Sequence, residues 1–154
     1  MTDLKLIALD AEDLAVLSAH LQDAVLRVAD IAFLKREKRF AAILNRFDWN
    51  VAVAEGAKRK KQQVRRRSGL RFERVLAAQT TGFDLKAKDA VLNLLAIGFE
   101  ATEEPEGHVL LLFSGGAAIR LQVECIEAEL KDLGAAWRAR AKPNHPGDEP
   151  PTGA

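Results

Sequence analysis

The chain has 154 residues, a formal net charge of +1 and 48% hydrophobic residues, a composition typical of one globular domain. This balance excludes a histone-like polycation, and the single cysteine excludes a disulfide scaffold or a cysteine-based zinc finger. No apolar run approaches the roughly 18 residues of a transmembrane helix. The N-terminus lacks the basic start and the uninterrupted apolar core of a signal peptide. We therefore expect a cytoplasmic protein without a membrane span.

The N-terminal segment predicts a strand followed by a helix. Residues 4–9 are short and apolar, as in an edge strand. Asp10 is a favourable N-cap, and an apolar stripe of helical period follows it. That stripe consists of Leu14, Leu17 and Leu21. Together these features predict a helix over about 11–21.

Most of the following chain predicts β-strands. Residues 24–34 and 39–49 are rich in strand formers and flank a polar run of hairpin length, so they predict a β-hairpin. Alternating apolar residues predict a long strand after Gly69. Further strands are expected at 90–102, 108–113 and 117–123.

The C-terminal region predicts an amphipathic helix from about 123 to 140. Its apolar residues follow the helical spacing i, i+4, i+7 and i+11, and they are Ile126, Leu130, Leu133 and Trp137. Glutamates at its beginning and basic residues at its end complement the helix dipole. Residues 142–154 carry four of the five prolines and no large apolar side chain, so we expect a disordered tail after a single domain at 1–141.

A short internal repeat is present. The tetrapeptide DAVL occurs at 23–26 and again at 89–92, and an isoleucine and a phenylalanine follow each copy at the same spacing. Two interpretations remain open, a true duplication or two strands of similar composition. Two copies are too few for a solenoid.

These elements predict an α+β domain. A mostly antiparallel sheet or split barrel of six to seven strands would be covered by the N-terminal helix and by the longer C-terminal helix. The order of elements resembles the pleckstrin-homology-like split barrel. A two-repeat α+β sheet built on the duplicated hairpin is the alternative.

The strongest chemical signal is a basic segment at 58–67, in which seven of ten residues are cations. The candidate anion-binding residues are Lys58, Arg59, Lys60, Lys61, Arg65, Arg66 and Arg67. Such a segment is either a solvated loop or a surface for an anionic partner, namely a protein, a nucleic acid or a membrane surface. Because no aromatic residue lies within 58–71, nucleic-acid binding would use the phosphate backbone and be weakly sequence-selective.

No pattern predicts a catalytic residue, a metal site or a cofactor. The turn at Gly115-Gly116 lacks the lysine and the helix of a P-loop, and the three histidines have no metal-ligand spacing. The residues therefore favour a non-enzymatic interaction module that uses loop 58–67. The alternative is a small-molecule binder or minor enzyme with a pocket between the sheet and the C-terminal helix, lined by residues such as Asn93, Arg120 or Gln122. Homodimerisation through a strand edge or the Trp137 region is compatible with both.

Four sequence blocks carry a family resemblance. They read LKLIALDAEDLAVLSAHLQDAVLRVADIAFL, KRFAAILNRFDW, RRRSGLRFERV and FSGGAAIRLQVECIEAELKDLG. They resemble a family of small uncharacterised alphaproteobacterial proteins that is classified only as a domain of unknown function. The resemblance covers about residues 3–140 and implies a bacterial, soluble, single-domain protein. It supplies no activity, cofactor or catalytic residue.

Overall fold

The described part of the chain folds mainly as antiparallel β-structure with one α-helix. The computed structural model describes residues 3–48, 64–134 and 137–138. In chain order the elements are β1 (Lys5–Ala8), α1 (Ala11–His20), β2 (Val25–Arg27), β3 (Ile31–Leu34), β4 (Arg39–Phe47), β5 (Val64–Glu73), β6 (Val75–Thr81), β7 (Val91–Ala101), β8 (Gly107–Phe113), β9 (Ala118–Val123), β10 (Ala128–Asp132) and β11 (Trp137–Arg138). Single 3-10 turns occupy Val28–Asp30 and Ser114–Gly116. Part of the predicted basic segment and the predicted tail at 142–154 lie outside the described residues.

The N-terminal helix is confirmed. The Asp10 carboxylate accepts a hydrogen bond of 2.8 Å from the Asp13 amide, and Asp13 in turn accepts one of 3.0 Å from the Leu9 amide. This reciprocal cap satisfies two backbone donors at the start of α1. Leu14 and Leu17 are buried beneath the helix, so the predicted stripe anchors it to the core.

The predicted C-terminal helix is wrong, and with it the α+β fold class and the pleckstrin-homology-like split barrel. Residues 126–132 alternate between buried and more exposed positions, which is the period of a strand. The buried positions are Ile126, Ala128, Leu130 and Asp132. Strand β10 lies between β5 and β1 and pairs with both. The described chain is thus mainly an antiparallel sheet of eleven strands rather than six to seven.

The strand at one end of the hydrogen-bonded path, β6, continues directly from β5, which lies near the other end. Hydrogen-bonded neighbours follow the order β1-β10-β5-β4-β2-β7-β8-β9-β6. Only Arg74, at φ 63°, separates β5 from β6, so one bent strand pairs with β4 before the bend and with β9 after it. The chain between β9 and β10 turns in the same region, where the Glu73 amide donates to the Glu127 carbonyl at 2.8 Å. The pairs β5–β6 and β9–β10 both contribute buried residues to a single hydrophobic cluster.

The two DAVL segments meet at their last residues. Strands β2 and β7 pair antiparallel with Leu26 opposite Leu92, and from this pair the two tetrapeptides extend in opposite directions. The same strand order follows each copy, β2/β3–β4–β5/β6 and then β7–β8–β9/β10. The last strands cross-pair, β6 with β9 and β10 with β5. This two-fold pattern of connections favours duplication over chance similarity.

Candidate anion-binding face

Strand β5 separates the three consecutive arginines onto two faces. In the register with β4, Arg65 lies opposite Phe47, Arg66 opposite Arg46 and Arg67 opposite Asn45. Successive side chains of a strand point to opposite faces of the sheet. Arg66 is accordingly buried, whereas Arg65 is half-buried and Arg67 is exposed.

Arg66 is committed to internal ion pairs. Only 2% of the surface of Arg66 is exposed. Its Nε donates to Asp48 Oδ2 at 3.0 Å and its Nη1 to Asp3 Oδ1 at 3.1 Å. Asp132 Oδ2 lies 3.8 Å from the same Nη1. This guanidinium is therefore unavailable to an outside anion, although the sequence grouped it with its two neighbours.

Asp132 is the centre of that buried network. It accepts two hydrogen bonds of 3.0 Å from Arg46, one of 2.7 Å from the Ser68 hydroxyl and one of 2.8 Å from the Leu4 amide. Burial alone would raise the pKa of Asp132, but these donors outweigh burial and hold the pKa below its ordinary value of 3.8. Nearby, burial and then Arg46 lower the pKa of His20. The cluster ties β4, β5 and β10 to the N-terminus.

The two outward arginines have different surroundings. The Arg65 guanidinium carbon lies 4.9 Å from the centre of the Phe47 ring, within the range of a cation–π contact. None of the ion pairs formed between described residues involves Arg65 or Arg67. Phe47 lies outside residues 58–71 and so was not predicted from the sequence as a neighbour of the arginines, but the β4–β5 pairing brings it beside Arg65. Lys58, Arg59, Lys60 and Lys61 lie outside the described residues.

A depression adjoins Arg67 where strand pairing is interrupted. Strand β3 pairs with residues 39–42 of β4, the 3-10 turn Val28–Asp30 diverges, and β2 pairs with β4 only at Asn45. The resulting depression has a volume of about 300 Å³. It is lined by Val25, Leu26, Arg27, Asp30, Ile43, Leu44, Asn45 and Arg67. We call Arg27, Arg65 and Arg67 the cationic face, since all three occupy the non-core side of β2 and β5.

The polar atoms of this depression are incompletely paired. Arg27 Nε lies 4.0 Å from Asp30 Oδ2, at the limit of an ion pair. The side-chain oxygen of Asn45 is buried and has no hydrogen-bond partner among the described residues. A buried acceptor left unpaired lowers the stability of the folded state.

In a second charged groove, the cations are paired with carboxylates of the same groove. It has a volume of about 480 Å³ and lies where β5 bends into β6. Each of its cations meets a carboxylate, for example Arg71 Nε to Glu73 at 2.7 Å and Arg74 Nε to Glu127 at 3.3 Å. Lys38 and Arg39 pair with Glu124 and Glu73 in the same way. This groove offers no cation without an internal partner in the described chain.

The remaining predicted groups do not converge on a site. Asn93, Arg120 and Gln122 are exposed on the outer faces of β7 and β9. The prediction of a pocket against a C-terminal helix is wrong, because residues 128–132 of the predicted helix form strand β10. The pair Gly115-Gly116 forms a turn between β8 and β9 with positive φ at both residues, as expected for a hairpin connection. In the part of the chain that the structure covers, no three His, Cys, Asp or Glu side chains gather as metal ligands, and no helix is long and apolar enough to cross a bilayer.

The fold and the site define a small antiparallel β-protein with a cationic face on one side of its sheet. A comparison with protein families places the chain more narrowly. It belongs to the family described as "Protein of unknown function (DUF2948)", whose model matches residues 4–145. The resemblance to a domain of unknown function inferred from the sequence blocks is thereby confirmed. Searches of curated proteins and of solved structures give no match.

Proposed function

We propose that the protein is a non-enzymatic interaction module that binds an anionic partner through the cationic face. The basic residues at 58–61, which precede β5 in the chain, would add to the attraction. Binding of this kind is driven largely by the release of counterions from the partner, so it weakens as salt rises. Arg66 has no place in this proposal because its charge is neutralised inside the protein.

The observation that carries the proposal is the contrast between Arg67 and three other arginines in the same part of the sheet. Arg71 and Arg74 contact carboxylates of neighbouring strands, and Arg46 is paired with Asp132. Arg67 is exposed and forms no ion pair with a described residue. A cation that forms no ion pair with the described carboxylates and lies beside a depression is well suited to an external anion.

The cellular setting of the proposal is the cytoplasm. The only cysteine, Cys125, is free and half-buried, which suits a reducing compartment. We propose no catalytic group. Homodimerisation would be compatible with the same function, and light scattering at several protein concentrations would measure it.

The proposal is tested by equilibrium binding of the full chain to fluorescent polyanions. The probes are a ten-residue oligothymidylate and a polyglutamate peptide, each measured by anisotropy at low and moderate salt. We expect at least one probe to bind at low salt and the double variant Arg65→Ala/Arg67→Ala to lose most of that affinity. The matched control Lys86→Ala/Arg120→Ala removes two exposed cations elsewhere and should bind like the unmodified protein. Equal affinities of the two double variants, or no binding of either probe, would reject the proposal.

A further inference from the structure

Strand β6 ends the hydrogen-bonded path and is paired along one side only. Among the described strands its partner is β9. The exposure of its inward side chains agrees with an open edge, because Ala78 and Thr80 are only partly buried. Their partners in β9 are Leu121 and Ile119, and both of these are fully buried. The second edge of β6 is therefore accessible to another strand.

The residues of β6 do not protect this edge. The strand reads VLAAQTT over Val75–Thr81, with no charged residue and no proline. Natural proteins usually protect an exposed edge with lysine, with proline, with a bulge or with a very short strand. Strand β1, at the other end of the path, has four residues and an exposed lysine. The irregularity of β6 lies at its start and leaves residues 77–81 in regular register, so we infer that this edge is covered in the assembled protein.

The two-fold pattern of the fold shows what such an edge accepts. Without β1, the path β10-β5-β4-β2-β7-β8-β9-β6 is the same from both ends when β2 is matched with β7, β4 with β8, β5 with β9 and β6 with β10. The edge of β10 that corresponds to the second edge of β6 is covered by β1, which pairs with it antiparallel. Within the described residues, the chain thus supplies a strand for one of two equivalent edges and not for the other.

A second copy of the chain suits the edge of β6 better than a partner recognised by charge. A two-fold axis places the same patch of each copy against itself, and two β6 strands joined edge to edge in this way run antiparallel. The outward side chains are Ala77, Gln79 and Thr81. Because none of them is charged, the pairs across the axis would bring no like charges together. A strand selected by its charge would need counter-charges on β6, which has none.

We propose that two copies of the protein associate through β6, with the two strands paired antiparallel across a two-fold axis and the two sheets continuous. This interface is independent of the proposed function, because the cationic face consists of residues of β2 and β5. Sedimentation equilibrium of the full chain at several concentrations should accordingly show a monomer–dimer equilibrium.

A pair of lysine variants assigns the dimer to β6. Gln79→Lys/Thr81→Lys adds two exposed charges to the edge of each copy, and the dimer would bring all of them together, so its dissociation constant should rise at least about tenfold. The matched control is Asn93→Lys/Thr102→Lys, which adds the same charge at exposed positions on and just after β7. Since β7 has a neighbour on each side, the control should dimerise like the unmodified chain.

Hydrogen exchange of the unmodified chain tests the same interface without a variant. Backbone amides of residues 77–81 that point away from β9 should exchange more slowly at concentrations where the dimer predominates than at concentrations where the monomer does. A chain that stays monomeric would overturn the proposal in favour of a strand from another protein. A dimer that resists Gln79→Lys/Thr81→Lys, or one that leaves the exchange of these amides unchanged, would overturn it as well.

Discussion

The substitution Asp132→Asn tests the buried network most severely. The Asp132 carboxylate accepts four hydrogen bonds of 2.7–3.0 Å, two of them from Arg46, and the side chains of the pair are 5% and 1% exposed. An asparagine keeps the shape but removes the negative charge, so Arg46 becomes a buried cation without a counter-charge. Breaking a buried pair in this way costs about 3–5 kcal/mol. For a chain of this size that corresponds to a fall of roughly 6–20 °C in Tm.

Urea denaturation at pH 7, followed by circular dichroism, measures the loss in the free energy of unfolding. The control is the double variant Arg46→Met/Asp132→Leu, which removes both charges and should recover a large part of the loss. A loss below about 1 kcal/mol for Asp132→Asn would refute the argument that this carboxylate neutralises buried cations. A double variant no more stable than Asp132→Asn would refute it as well.

Three further predictions concern pH, a turn and a helix cap. The pKa of Asp132 in the folded state lies below 3.8, so the stabilisation by its carboxylate is complete above the unfolded-state pKa and disappears as pH falls through the folded-state pKa. The urea midpoints of the unmodified chain and Asp132→Asn should therefore converge below about pH 4. A constant gap between the two midpoints would contradict this. Gly82→Ala should lower stability by about 2 kcal/mol or more, because φ is +80° and the new Cβ would lie 2.7 Å from the Gly116 carbonyl oxygen; Gly98→Ala, where a Cβ meets nothing within 4 Å, is its near-neutral control, and equal melting temperatures would refute the steric argument. Asp10→Ala removes the cap of α1 and should cost about 1 kcal/mol in thermal denaturation, whereas an unchanged Tm would show that the cap is dispensable.

The sequence predicted correctly the elements that are determined by local signals. Asp10 and the leucine stripe at 14, 17 and 21 identified α1, and the polar run at 35–38 identified the turn between β3 and β4. The prediction failed where a buried polar residue concealed the period of a strand. Asp132 occupies an inward position of β10, so the alternation through Leu130 was invisible, and the spacing to Leu133 imitated a helix. Leu133 is in fact partly exposed after β10 ends.

Only part of the cationic face could be predicted from the sequence. The cations at 65–67 are evident, and extending the alternation of Leu70 and Phe72 backwards along β5 would have placed Arg66 on the buried face. Its partners could not be predicted, because the carboxylates that bind it come from residues far away in the chain. The depression also depends on long-range pairing, since only the β2–β4 register brings Asn45 beside Val25. Such a site has no local signature.

The most direct test of the account is the salt dependence of oligonucleotide binding after loss of the two outward arginines. Each phosphate contact on a single strand contributes about 0.7 to the slope of log affinity against log salt concentration. Arg65→Ala/Arg67→Ala should therefore reduce the slope by about 1.4 while the protein unfolds at its usual urea concentration. An unchanged slope in a folded double variant would show that these arginines meet no phosphate and would contradict the proposed anion-binding face.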